Sequence, residues 1–359
     1  HTRKDTYFWK ERAISTMRST TNSVESGSRG EFYSYVRDNP LGLVGVGGML
    51  LALILLQRSQ IVEAEGQAEL IMDNLSVERL QGDVSTDLMS GFAGLIGPLL
   101  LLGSSRSIEL AITCGERLLS LQLDSGGWSS GAFLSSLHGT PLTGFSHGAA
   151  GIGAALARLA QVTGDVRFST SALKAAAYER SVFVASKSNW PDYRRNNTNC
   201  DFMLSWCAGA PGIMLSRLIF ERAGVHDDQI SMDLDLARNT TLSAIHAIAK
   251  SLSNPAAHLC CGAFGLITLM RIDSTLKGSD LDPAVLQAEH NVIRLKQVKG
   301  HYTFFRMEAD SLDLPGLFTG KAGTALSLLE SSYSSKWLPS LLSAGLLDSA
   351  ISEAKPSDN

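Results

Sequence analysis

The sequence predicts an all-α protein arranged as two concentric rings, apolar helices inside and amphipathic helices outside. Three observations predict it. A G-x-x-G turn followed by an apolar run recurs six times along the 359 residues. Longer segments with an amphipathic helical period lie between the copies. Strand signals are almost absent; "HYTFF", His301–Phe305, is the best of them and reads as one edge of a loop.

The N-terminal stretch, residues 1–38, comes first. Its "STMRSTTNSVESGSRG" run is polar and serine-rich, with few apolar anchors, and reads as a loop or linker with outer-helix elements. The repeat region follows, residues 39–350, and "ISEAKPSDN", residues 351–359, reads as a tail. The first residue is His1 and no signal peptide is visible, so the chain reads as a domain cut from a longer polypeptide.

The six turns are "GLVG" (Gly42–Gly45), "GFAG" (Gly91–Gly94), "GAAG" (Gly148–Gly151), "GAPG" (Gly209–Gly212), "GAFG" (Gly262–Gly265) and "GKAG" (Gly320–Gly323). Their second glycines fall 49, 57, 61, 53 and 58 residues apart. The apolar runs behind them, such as "GIGAALARLA" and "GIMLSRLIF", read as helices hydrophobic all round, which must be buried on all sides. "RSIELAITCGERLLSL" (Arg106–Leu121) and "MDLDLARNTTLSAIHAIAK" (Met232–Lys250) read as their amphipathic covers; in the second, Leu242, Ile245 and Ala249 share a face. Such helix pairs stack as an open solenoid or close into a ring. Uniformly apolar inner helices favour closure. All inner helices then begin at one end, and six glycine turns converge on one mouth.

One stretch invites a different reading. "LGLVGVGGMLLALILL", Leu41–Leu56, is 16 residues without a charge. A membrane span needs about 20, so it is expected to be a core helix and no membrane partner is expected. The net charge of -4 and the lack of a basic run argue against nucleic acid. Five cysteines, an odd number in a long chain, point to a reducing compartment and a cytoplasmic protein.

Three turns carry residues that a structural repeat does not need. "SWCAGAPG" has Cys207 just before its glycines, "LCCGAFG" has Cys260 and Cys261, and "FSHGAAG" has His147. If the turns share a mouth, three thiols and one imidazole meet there. Three thiolates suit zinc, and three protein ligands leave the fourth position open, as catalytic sites do. A free cysteine is also a small buried hydrophobe, and Cys114, away from the turns, reads as packing. Cys200 and His258 are weaker candidate ligands.

"SHGAAGI", "WCAGAPGI", "LCCGAFG" and "PGLFTGKAG" resemble, in this order, the turn motifs of lanthionine cyclases over roughly Asn39 to Glu330. The resemblance is to the C-terminal cyclase domain of class II lanthipeptide synthetases. It implies an α/α toroid, Zn2+, formation of lanthionine and methyllanthionine thioethers on a dehydrated precursor peptide, and a dehydratase domain upstream in the same polypeptide. It implies ligands at Cys207, Cys260 and position 261. The usual ligand at 261 is His; Cys261 resembles the three-cysteine subgroup typified by prochlorosin synthetases. The usual Tyr after the W-C pair is also replaced, by Ala208. The family pairs its catalytic His with an Asp before an early turn, which makes Asp87 of "DLMSGFAG" and His147 the candidate catalytic pair. The family ring has seven inner helices; only six turns are legible, so a seventh repeat is degenerate, missing or built from the ends. Two other readings stay open: a zinc-stabilised peptide-binding scaffold without chemistry, and a zinc hydrolase or deaminase acting through bound water.

Overall fold

The computed structural model describes residues 36–59, 66–129, 140–194, 201–250, 255–303, 316–333 and 337–347. Among these the helices are α1 (Val46–Arg58), α2 (Gln67–Asn74), α3 (Val77–Gln81), α4 (Phe92–Leu102) and α5 (Ser105–Leu121). They continue with α6 (Ala149–Thr163), α7 (Val166–Ser181), α8 (Ala210–Ala223) and α9 (Ile230–Lys250). The last are α10 (Ala263–Lys277), α11 (Pro283–Lys299), α12 (Lys321–Tyr333) and α13 (Trp337–Leu342). No named strand occurs among the described residues, only isolated bridges. Of "HYTFF", residues 301–303 are not strand, and the rest lies outside the described residues.

The architecture is the α/α toroid. Helices α1, α4, α6, α8, α10 and α12 pack each on the next as the inner series, and α5, α7, α9 and α11 lie against them from outside. Two inner helices hand over to outer ones through two-residue joints. Gly103 ends α4 at φ 68°, and Ser104 then caps α5 by accepting the Ser107 N–H. Gly164 ends α6 at φ 72°, and Asp165 caps α7 through the Arg167 N–H. A left-handed glycine followed by a side-chain N-cap stops one helix and starts the next at almost no length. The opposite end has longer connections, and these carry the glycine turns.

The repeat of the second glycine has a steric cause. A Cβ on Gly94, Gly151, Gly265 or Gly323 would collide with the carbonyl oxygen six residues earlier in the same turn. The turn folds back across the first helical turn so closely that only hydrogen fits. In the first copy the carbonyl lies five residues earlier, Pro40 O for Gly45 and Leu43 O for Gly48, each 2.0 Å from where a Cβ would sit. Gly45 also caps α1, so it closes the Gly42–Gly45 turn read from the sequence and opens the overlapping Gly45–Gly48 one. Gly42 instead lets the backbone approach Leu88 and Met89 of the second turn.

Burial on all sides holds for the middle of the inner series and not for its ends. Helix α8 is buried continuously from Ala210 to Phe220, while α1 exposes Ala52 and α12 exposes Ala325 and Leu329. The C-terminal stretch spans the two ends. Helix α13 packs on α10 and α12; Ala344 lays its carbonyl over Gly97 of α4, and Gly345 meets Leu51 of α1 and Leu101 of α4. The place of a seventh repeat is thus taken, in the described residues, by a short helix and a buried turn. The 41–56 stretch forms α1, with Val46, Leu50, Leu51, Ile54 and Leu55 in the core. No helix among the described residues is long and apolar enough to cross a membrane.

One inner helix departs from its apolar reading. Arg217 of α8 is fully buried and donates to Glu179 of α7 at 2.9 Å and Asp233 of α9 at 3.2 Å. Arg180 of α7 joins Asp233 at 2.8 Å and Asp227 at 2.7 Å. A buried charge persists only when paired; this network locks α7, α8 and α9 together.

Candidate metal centre

Backbone hydrogen bonds stitch the turns side by side around one mouth. The first turn donates to the second through Leu43 N–H to Leu88 O (2.9 Å) and Val44 N–H to Met89 O (2.9 Å). Leu88 N–H of the second donates to Ser146 O of the third at 3.2 Å. The third donates twice to the fourth, from Phe145 (3.1 Å) and Ser146 (3.2 Å) to the Cys207 carbonyl. Gly144, at φ 89°, lies directly against that carbonyl, and its N–H reaches Glu179 of the buried network at 3.4 Å. The fifth turn donates to the sixth, Cys260 N–H to Phe318 O, at 2.8 Å.

Trp206 pins the assembly from beneath. It stacks on Phe318 at 4.5 Å, meets Phe145 edge-on at 5.8 Å and donates its indole N–H to Leu342 O at 2.9 Å. One side chain thus ties the third, fourth and sixth turns to the C-terminal stretch. Its neighbour Cys207 is held by Ser205, whose hydroxyl caps the turn at Ala208 N–H (3.2 Å) and lies 3.3 Å from Cys207 Sγ.

The sulfurs of Cys207, Cys260 and Cys261 lie within 4.8 Å of one another. Cys207–Cys261 is 3.4 Å and Cys261–Cys260 is 3.3 Å. Zinc–sulfur bonds of about 2.3 Å in a tetrahedron put sulfurs about 3.8 Å apart, so the donor set fits a zinc ion with little movement. The electrostatics agree. Hydrogen bonds from Cys260 and then Cys261, with Arg194 nearby, hold the Cys207 thiol well below its ordinary range despite burial. Cys261, hydrogen-bonded to the ionised Cys207, is pushed up to about 12, and Cys260 is driven up for the same reason.

His147 Nδ1 lies 2.9 Å from Asp87 Oδ2, and Asp87 Oδ1 accepts the Ser90 N–H at 2.6 Å. The carboxylate is fixed by its own turn and in turn orients the ring, leaving Nε2 for a partner. The His147 turn is the one bonded to the Cys207 carbonyl, so pair and thiols belong to adjacent turns of one mouth.

The weaker candidates separate. His258 is buried, and its Nδ1 accepts the Cys261 N–H at 3.1 Å, so it braces the cysteine turn. Cys200 lies outside the described residues. Cys114 is buried in α5, where burial raises its thiol far above the ordinary range. Phe318 and the Asp192–Arg194 pair at the mouth escaped the sequence reading; "PGLFTGKAG" supplied the only signal for the first, and two charged residues in an irregular loop supplied none for the second.

The family model described as lanthionine synthetase C-like protein matches residues 2–342. The chain belongs to this family. The solved structure of nisin cyclase is similar to it, with a TM-score of 0.67 and 20% identity, over 87% of this chain and 82% of that chain. At that identity the likeness speaks for the toroid alone. No curated protein sequence matched the chain.

Proposed function

We propose that this chain is a zinc-dependent cyclase that closes lanthionine and methyllanthionine rings in a dehydrated precursor peptide. The observation that carries this reading is the adjacency, on hydrogen-bonded turns, of a three-thiol cluster and an oriented His–Asp pair. Cys207, Cys260 and Cys261 would hold the metal. A free peptide thiol is only about 3% thiolate at pH 7; bound zinc supplies the means of deprotonating it outright.

The thiolate sulfur bonds to the β-carbon of a dehydroalanine or dehydrobutyrine, and the π electrons move to give an enolate. His147 Nε2 takes up the proton that the peptide thiol gives up and delivers it to the α-carbon, while Asp87 keeps the ring oriented and its Nδ1 proton in place. A rate gain of at most about 30-fold comes from thiolate fraction, roughly 2 kcal/mol; holding sulfur and alkene together at the mouth supplies the rest. A scaffold without chemistry has no use for the His147–Asp87 pair. We place the domain behind a dehydratase in one class II synthetase polypeptide, in the reducing cytoplasm that keeps its thiols free.

The test is mass spectrometry of a dehydrated, cysteine-containing peptide after incubation with the protein, with alkylation to count free thiols. The parent protein loses free peptide thiols and carries one zinc; Cys207→Ala does neither. Zinc without thiol loss would make the chain a scaffold.

A further inference from the structure

We propose that Arg194, gripped by Asp192, is the positioning cation of the metal centre: it donates to the Cys207 sulfur and offsets the surplus negative charge of the three thiolates. The inference rests on the reading that those cysteines hold zinc.

Arg194 lies between α7 and α8, outside every glycine turn. Asp192, 5% exposed, takes its guanidinium in a two-pronged grip, Nε to Oδ1 at 2.8 Å and Nη2 to Oδ2 at 2.8 Å. Asp192 Oδ1 also accepts the Arg194 backbone N–H at 3.1 Å. The segment is fastened on both sides. Asp192 N–H donates to Asp201 O at 2.7 Å, and the Thr143 hydroxyl donates to Pro191 O at 2.5 Å. Asn189 donates to Met203 O at 2.9 Å and accepts the Ala210 N–H at 2.8 Å. The grip uses one Nη2 proton. Nη2 also lies 3.2 Å from Met203 Sδ and 3.5 Å from Cys207 Sγ, so its second proton faces sulfur.

Charge arithmetic gives that contact a purpose. Two thiolates and a neutral imidazole cancel a divalent cation; three thiolates leave one negative charge over. A guanidinium at the sulfur supplies the missing positive charge. Arginine suits the task better than lysine, because its planar fork grips the carboxylate and still presents an N–H elsewhere. A pair serving only to lock the loop would be complete in the Asp192 contacts and would not need to reach Cys207.

The test measures zinc affinity by competition with a chromophoric chelator, and the sulfur-to-cobalt charge-transfer band of the cobalt-substituted protein. Arg194→Gln is expected to bind zinc about 10- to 100-fold more weakly, the usual cost of losing an outer-shell partner. Its charge-transfer band should move to longer wavelength, since a sulfur without its N–H donor holds its electrons less tightly. Arg194→Lys, which keeps the charge and loses the fork, should fall between Gln and the parent. Metal-free melting temperatures close to the parent's identify these as effects on the site rather than on folding. Affinity within twofold of the parent with an unmoved band overturns the inference, as does a lysine variant no better than glutamine. A parent protein that binds no zinc overturns the site reading itself, and this inference with it.

Discussion

Replacing Arg217 by Met tests how the buried charge network supports the mouth. The guanidinium is fully buried, bonded to Glu179 at 2.9 Å and Asp233 at 3.2 Å, and lies 5.4 Å over the Phe220 ring. Methionine fills much of the same volume, so the perturbation is chiefly electrical. It leaves the Glu179 carboxylate buried without its partner, which costs about 3–5 kcal/mol. Burial already raises Glu179 to about 6, with the Arg217 charge pulling the other way. Without Arg217 the carboxyl rises further, above its value in the unfolded chain. A raised carboxyl contributes stability below the unfolded value near 4.5 and loses it as pH climbs through the folded value. The variant's deficit is therefore largest above its own raised folded value and shrinks as pH falls from there towards 6. Urea unfolding at pH 7.5 and pH 5 reads both effects. Adding Glu179→Gln to Arg217→Met should recover more than half of the loss, since a neutral pair no longer strands a charge. A single-variant loss below about 1 kcal/mol, unchanged with pH, would refute the view that this pair holds α7 to α8.

Two further outcomes concern the chemistry. His147→Asn should keep its zinc and its melting temperature yet close rings about 10²–10⁴-fold more slowly; Asp87→Asn should lose less, since it only orients the ring. Cyclisation at the parent rate in His147→Asn would assign the proton to another group. Cys261→His replaces one of three thiolates by a neutral imidazole beside Gly262, so the ligand set falls from three negative charges to two. Elemental analysis should still find zinc, and peptides with the least favourable ring closures should slow most; equal rates on every peptide would make Cys261 merely an equivalent ligand.

The sequence alone determined the helical repeat and the residues at its turns. Glycine at the close approach and apolar runs behind each turn are local requirements, so they are legible locally. Register within the repeat was less so: "GLVGVGG" holds two overlapping G-x-x-G pairs, and only the fold shows that both are closely packed, Gly42 on Leu88 and Met89 and Gly48 on the Leu43 carbonyl. The third thiol was legible as a residue, but its 3.4 Å approach to Cys207 depends on two turns 54 positions apart meeting through Trp206 and Phe318. Tertiary structure also decided the buried Arg217, the brace from His258 to the cysteine turn, and the reach of Arg194 to sulfur. A charge in an apolar helix or an irregular loop has no local pattern that names its partner. Its position is set by which distant element carries the opposite charge, and that is known only once the ring has brought the two together.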